Sequence, residues 1–133
     1  MGTIAFQRRD GLIFVPVDVW GHGVAAKTLH FVLDTGTSTS ILNVIHAVGL
    51  GFRPDRATAR SRIRSIIGQE TGYVVRAPHV RSLDWVRDDF PLACHSFPAE
   101  DRLDGLLGAD FFAGLRLVID YGAATVELTE SLA

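Results

Sequence analysis

The sequence contains almost no cysteine: Cys94 is the single one among 133 residues. A disulfide within the chain and a cysteine-rich zinc site both need more than one thiol, so both are excluded. One free cysteine is compatible with a reducing compartment. We therefore expect the packing of apolar side chains, rather than covalent cross-links, to stabilise the fold.

Long apolar runs and a strong net charge are also absent. No stretch approaches the roughly 20 apolar residues that a membrane-spanning helix needs, and residues 1–10 lack the long apolar segment of a secretory signal. The formal net charge of −2 gives no electrostatic reason to expect a nucleic acid or an anionic membrane as partner. We expect a soluble protein with no membrane segment and no nucleic-acid partner, and the cytoplasm is favoured as its location.

The composition is that of one compact domain. Hydrophobic residues make up 47% of the chain and charged residues 21%, far from the composition of disordered proteins. A chain of this length buries about two-thirds of the surface that its unfolded form exposes, and it is too short for a second ordinary domain. No repeat or linker interrupts it, so residues 1–133 are predicted to form a single domain.

Short apolar stretches punctuated by glycine predict an all-β fold. Residues 12–20 alternate as a half-buried strand does, and Pro16 places that strand near a sheet edge. Gly68-Gln69-Glu70 is interpreted as the tip of a hairpin. Further strands are predicted at 28–33, 39–42, 62–67, 71–75, 80–83, 90–94, 106–108, 115–119 and 125–128. Many short strands in this arrangement are typical of a barrel.

Two short helices interrupt this pattern. Asn43 is predicted to cap a helix over residues 44–48 that Gly49 ends. Asp110 is predicted to cap a single helical turn through Phe111 and Phe112.

A possible catalytic carboxylate lies where the strand at 28–33 ends. It is followed by small hydroxyl residues and a glycine, in the run Asp34, Thr35, Gly36, Thr37 and Ser38. Gly36 permits a tight turn that brings its N–H toward the carboxylate, and the Thr35 hydroxyl can anchor the loop. Asp-x-Gly is also ordinary turn chemistry, so this tripeptide by itself favours a structural turn.

Residues 31–38, Phe-Val-Leu-Asp-Thr-Gly-Thr-Ser, resemble the active-site motif of the retropepsin-like aspartic peptidases. Further along, residues 103–112, Leu-Asp-Gly-Leu-Leu-Gly-Ala-Asp-Phe-Phe, resemble that family's apolar-apolar-Gly signature and the short helix after it. The two motifs in this order are far more specific than either alone. The resemblance extends over residues 14–128, and its middle part matches by pattern only.

The resemblance implies a retropepsin-like closed β-barrel, one lobe of the acid protease fold, with one or two short helices. Asp34 would be the catalytic residue, with Thr35, Gly36, Thr37 and Ser38 as its loop. The family's apolar-Gly strand beside this loop would comprise Leu106, Leu107 and Gly108. The hairpin between the two motifs would form a flap over the substrate, with Ile66, Ile67, Gly68 and Gln69 as candidates; an ordinary surface hairpin is the alternative.

The chemistry of this family requires two carboxylates. One activates a water molecule while the other supplies a proton, and a pair about 3 Å apart shares one proton, for which aspartic proteases are the standard example. The chain has no second Asp-Thr-Gly or Asp-Ser-Gly. We therefore expect a homodimer that brings Asp34 next to its copy and hydrolyses a peptide or protein substrate in extended conformation. The five histidines lack metal-site spacing, and neither a metal nor a cofactor is expected.

Several alternatives stay open at the level of the sequence. The chain could keep the peptidase fold as a non-catalytic module for peptide binding or dimerisation, or it could be an unrelated barrel that carries a small apolar ligand. Cys94 and His95 point to opposite faces of a strand, so a buried structural cysteine is expected rather than a nucleophile. A basic run is interpreted as a solvated surface, with selection of acidic substrate residues or contact with RNA as the alternative; it comprises Arg53, Arg56, Arg60, Arg62 and Arg64.

Overall fold

The structure, a computed structural model, describes residues 2–65 and 68–131. Its strands are β1 (Thr3–Ala5), β2 (Gln7–Arg9), β3 (Leu12–Val19), β4 (Lys27–Leu33), β5 (Ile41–Asn43), β6 (Ala59–Ser65), β7 (Gly68–Ser82), β8 (Trp85–His95), β9 (Gly105–Leu107), β10 (Leu115–Asp120) and β11 (Thr125–Glu130). The helices are all 3-10 helices, at Val44–His46, Pro54–Arg56, Ala99–Asp101 and Ala109–Phe112. The mostly β prediction is confirmed, but this part of the chain holds four short helices instead of one or two.

Six strands close into a barrel. They follow the order β3, β4, β9, β5, β8 and β7, and the pairing of Asp18 with Arg81 and of Val19 with Val80 returns the ring to β3. β2 extends the sheet beyond the ring on one side, and β6 extends it on the other. The remaining strands, β1, β11 and β10, form a separate sheet. The predicted closed barrel is therefore confirmed.

Strand alternation fills the barrel interior. On β3, the side chains of Ile13, Val15, Val17 and Val19 are at most 6% exposed, as their alternation with neighbours predicts. Phe31 of β4 joins them in the core. Burial of an aliphatic or aromatic side chain of this size contributes about 1.5–3 kcal/mol, so this face holds β3 and β4 in register.

Pro16 lies in an interior strand rather than at an edge. One side of β3 pairs with β2 through Leu12–Phe14 and with β7 through Asp18 and Val19, and Pro16 falls in the gap between these pairings. The carbonyl of Pro16 accepts a hydrogen bond from Ser82 Oγ at 2.8 Å. The missing N–H of proline therefore costs no ladder hydrogen bond at this position.

The predicted tip of the β6–β7 hairpin is wrong. Gly68, Gln69 and Glu70 are not a turn but the first residues of β7, where Gly68 pairs with Ser65 and Gln69 with Arg64. A glycine is tolerated inside a strand, so it did not mark the turn here. The flap candidates Ile66 and Ile67 lie outside the described residues.

The strands predicted at 71–75 and 80–83 are one continuous strand, β7. Pro78, which cannot donate to a ladder, lies between the two predicted strands. In the ladder with β8, Ala77 pairs with Phe90 and His79 pairs with Asp88, while Pro78 between them forms no pair. Asp89, opposite Pro78, adopts a φ of 49°. This local irregularity accommodates the proline, so both strands continue past it.

Both predicted helices are shorter or capped differently than expected. Asn43 does cap the first, since its side chain accepts a hydrogen bond from the N–H of Ile45 at 3.2 Å, but that helix ends at His46 and Gly49 lies in the turn that follows. Gly108, not Asp110, occupies the N-cap of the Ala109–Phe112 helix. No helix among residues 2–65 and 68–131 has the length and apolar character to cross a membrane.

Candidate active site

Asp34 leaves β4 directly beside β9. The two strands are parallel and pair from Phe31–Gly105 to Leu33–Leu107, and the Asp34 N–H then donates to the Leu107 carbonyl at 2.9 Å. β5, which follows the loop, pairs with the other side of β9. The predicted apolar-Gly strand therefore lies between the strand that enters the Asp34 loop and the strand that leaves it.

Hydrogen bonds fix the shape of the loop from Asp34 to Thr39. The N–H of Gly36 donates to Asp34 Oδ1 at 3.1 Å, and the N–H of Thr37 donates to the Asp34 carbonyl at 3.3 Å. Thr37 Oγ1 donates to the Thr39 carbonyl at 3.1 Å, and the Thr37 carbonyl accepts the N–H of Ala109 at 2.8 Å. The half-buried Asp34 carboxylate is thus oriented by its own loop, as Gly36 was expected to do.

Ser40 and Asp110 tie the end of the loop to the helix after β9. The fully buried Ser40 donates from Oγ to Asp110 Oδ1 at 2.7 Å and from its N–H to Asp110 Oδ2 at 3.1 Å. Ser40 Oγ also accepts the N–H of Gly108 at 2.9 Å. This contact could not be predicted from the sequence, because Asp110 lies 70 residues from Ser40 and its position suits a helix cap.

Glycine is required where β9 passes the loop. A Cβ at Gly108 would lie 2.7 Å from the Thr39 carbonyl oxygen, and one at Gly105 would lie 2.7 Å from the Phe31 ring. Real Cβ atoms do not approach other atoms so closely. These two glycines therefore allow the two motifs to pack against each other.

The face of β4 that carries Asp34 is lined by apolar side chains. Along β4, Leu29 and Phe31 belong to the barrel core, so His30, Val32 and Asp34 project from the opposite face. Phe14 pairs with Val32, and Ile41 pairs with Leu106 of β9. Phe14, Val32 and Ile41 are buried yet lie outside the core cluster, and together we call them the apolar wall. The carboxylate of Asp34 thus stands at the end of a row of buried apolar side chains.

Thr35 and Ser38 have exposed side chains on the same loop. Neither side chain makes a hydrogen bond with another residue that the structure describes. Contrary to the expectation, the Thr35 hydroxyl does not anchor the loop through any residue that the structure describes. Thr37 makes the side-chain hydrogen bond inside the loop instead.

The remaining candidates lie away from Asp34. Cys94 is buried, as predicted, and desolvation raises the pKa of its thiol to about 12, which leaves no thiolate for catalysis at neutral pH. In the basic run, Arg53 pairs with Asp55 through two hydrogen bonds of 3.0 Å, and Arg56, Arg60 and Arg62 are exposed. Within the described part of the chain, no group of three or more His, Cys, Asp or Glu side chains could hold a metal ion.

Comparisons with known proteins agree with this geometry. The family model described as aspartyl protease matches residues 15–111, which include both the Asp34 loop and the apolar-Gly strand. A similar solved structure is a retropepsin-like aspartic protease from Rickettsia conorii, with a TM-score of 0.69 and 18% sequence identity over 98% of this chain and 94% of that one. Curated proteins gave no match. On this evidence the chain belongs to the aspartyl protease family and has the retropepsin-like fold.

Proposed function

We propose that the protein is an aspartic endopeptidase that cleaves peptide bonds as a homodimer, with one Asp34 from each protomer. The observation that carries the proposal is the Asp34 carboxylate, held by the Gly36 N–H on a loop that β9 supports. Family membership favours hydrolysis over the carriage of a small ligand.

The mechanism uses the two carboxylates as an acid and a base. The ionised Asp34 takes a proton from water as the water attacks the scissile carbonyl carbon, and the protonated Asp34 donates to the carbonyl oxygen. Proton transfer to the amine nitrogen then accompanies cleavage of the C–N bond. Because the two like charges are adjacent, they share one proton and titrate as a pair.

We infer that the second carboxylate comes from another molecule. Asp110 is bonded to Ser40 through both oxygens. Asp104 is engaged as well, since Oδ2 accepts the N–H of His30 and Oδ1 lies 2.9 Å from His46 Nε2. A twofold axis next to the Asp34 loop would supply an identical acid, and it would also bring the exposed Thr35 and Ser38 toward their copies.

The substrate would bind as an extended chain between the apolar wall and the β6–β7 hairpin. A strand-like peptide in such a cleft gains backbone hydrogen bonds. Ile66, Ile67, Gly68 and Gln69 stay flap candidates. Of these, Gly68 and Gln69 begin β7 and could contribute their backbone groups.

Replacing the catalytic carboxylate tests the proposal. We expect Asp34→Asn to lower the rate of peptide cleavage by at least about 100-fold, because the amide neither ionises nor donates an acidic proton. The assay is mass spectrometry of a peptide library incubated with the protein across acidic and neutral pH, with and without a statine-type inhibitor.

The control is Asp55→Asn, which removes an exposed carboxylate far from the loop and should leave cleavage unchanged. Both variants should keep the wild-type unfolding temperature. Cleavage that survives in Asp34→Asn would refute the assignment. A wild-type protein that binds library peptides but never cuts them would instead be a non-catalytic peptide-binding module.

A further inference from the structure

A cavity of about 630 Å³ opens on the Asp34 face of β4. His30 lines it, and strand alternation puts His30 on the same face as Val32 and Asp34. Phe14 of the apolar wall also lines it. The cavity therefore opens on the same face of the sheet as Asp34.

Three arginines surround this cavity. Arg8 and Arg9 come from β2, and Arg102 comes from the segment before β9. All three are exposed, and none forms an ion pair with a carboxylate whose side chain the structure describes. Arg9 pairs with Leu12 and lies on the Phe14 face of the sheet, whereas Arg8 pairs with Ile13 of the barrel core and points to the opposite face. The Arg9 and Arg102 guanidinium groups therefore supply the positive charge on the cavity side.

Two of these arginines are held in place by uncharged groups. The Arg9 guanidinium lies 4.3 Å from the centroid of the Phe14 ring, and its Nη2 donates to the Arg102 carbonyl at 3.0 Å. The Arg8 guanidinium lies 5.5 Å from the Tyr121 ring centroid. Such contacts restrict the side chains while leaving N–H donors available, which favours a bidentate interaction with an incoming carboxylate.

The carboxylate of Asp104, which also lines the cavity, does not cancel this charge. Its Oδ2 accepts the His30 N–H at 3.0 Å and its Oδ1 lies 2.9 Å from His46 Nε2, while Lys27 Nζ lies 3.3 Å from the other nitrogen of that ring. Asp104 is therefore turned toward its own partners. The cavity wall keeps a surplus of positive charge.

We propose that this cavity is a specificity subsite that binds an acidic side chain of the substrate, through Arg9 and Arg102. The inference rests on the proposed peptidase function. His30 precedes Asp34 by four residues, and an extended strand advances about 3.3 Å per residue. The acidic residue should therefore lie two to four positions from the scissile bond, and the twofold axis of the proposed homodimer would supply an equivalent subsite on each side of it.

The first test compares matched peptides with wild-type protein. Cleavage of a library should show a preference for Asp and Glu over Asn and Gln two to four residues from the cut, on either side of it. Peptides with an amidated C-terminus should keep this preference, because a side chain and not a terminal carboxylate is bound. A preference confined to free C-termini would overturn the proposal, as would equal cleavage of Glu and Gln peptides.

The second test removes the cations. We expect Arg9→Gln/Arg102→Gln to lower the ratio of kcat/KM for a Glu peptide over its Gln counterpart by about 10- to 100-fold. The matched control, Arg53→Gln/Arg56→Gln, removes the same charge outside the cavity and should preserve the ratio. If the preference for the Glu peptide over the Gln peptide is lost only in this control, the basic run selects the acidic residue and the proposal for the cavity is rejected.

Peptide binding separates failure of this inference from failure of the proposed function. In an Asp34→Asn background, fluorescence anisotropy should show tighter binding of the Glu peptide than of the Gln peptide, and added salt should reduce the difference. Cleavage without acidic preference would reject the subsite alone. Preferential binding of the Glu peptide to a protein that never cleaves would keep the subsite and reject the peptidase.

Discussion

The buried thiol of Cys94 makes the stability of the fold depend on pH in the alkaline range. The thiol lies 1% exposed on β8, where desolvation raises its pKa from 9.0 to about 12 and a hydrogen bond from Tyr73 lowers it less. In the unfolded chain the thiol ionises near its ordinary value. Between these two values the folded protein binds the proton more strongly than the unfolded chain does.

This difference predicts a loss of stability as pH rises. The contribution of Cys94 is fully present below about pH 9 and falls by about 1 kcal/mol per pH unit above it, toward pH 12. Urea denaturation of wild type and Cys94→Ala between pH 8 and 10.5 measures the effect. The free energy of unfolding should fall more steeply for wild type, and parallel slopes would contradict the prediction.

Of the residues that shape the Asp34 loop, Asp34 could be predicted from the sequence and Ser40 could not. Asp34 could be found because a glycine and small hydroxyl residues follow it directly, and such a loop is local. Ser40 is equally important to the loop, but its partner Asp110 is distant in sequence and reaches it only through the closed barrel. A buried serine has no local pattern that distinguishes it from an exposed one.

At the scale of elements, β9 is a short strand that depends on the absence of a side chain at Gly105. It pairs with β4 and β5 at once, and a Cβ at this position would meet the Ile41 carbonyl and the Phe31 ring. Neither neighbour can move without disturbing the barrel. The spacing between β4 and β5, the strands on either side of the Asp34 loop, therefore depends on Gly105 having no side chain.

We expect Gly105→Ala to lower the free energy of unfolding by about 1–3 kcal/mol through overpacking. Gly49→Ala is the matched control, since the nearest atom to its added Cβ is the His46 carbonyl oxygen at 3.8 Å, and its effect should stay within about 0.5 kcal/mol. Chemical denaturation of both variants decides the matter. Equal stability of the two proteins would show that β9 adjusts freely.

The strands differ in how well their sequences specify them. β3 and the β10–β11 hairpin could be predicted because alternation places their apolar residues on one face. β7 could not, because its continuation past Pro78 depends on the facing residue Asp89 and its left-handed backbone. The start of β7 could not be predicted either, because pairing with β6 outweighed the turn preference of Gly68.

At the scale of the whole molecule, the proposed activity belongs to a pair of chains. The comparison structure supports the fold, and the carboxylates of Asp104 and Asp110 are engaged with His30, His46 and Ser40 rather than with Asp34. If both acids come from identical protomers, one defective protomer inactivates the pair.

Subunit mixing tests this consequence. An equal amount of Asp34→Asn protein, added to a fixed amount of wild type and left to exchange, should halve the activity, because random pairing leaves half as many wild-type pairs. The same mixture assayed before exchange serves as control. Full activity after exchange, verified by a tag on the variant, would indicate that one chain carries both acids.

Closure of the ring leaves exposed strand edges on the two strands of the large sheet that lie outside it. β2 and β6 are the outermost strands of the large sheet, and unpaired strand margins invite other chains to add to them. Arg8 and Arg9 lie on one margin, and Arg60 and Arg62 on the other. Two margins of like charge repel each other, which protects against stacking of one molecule onto the next in fibre-like aggregates.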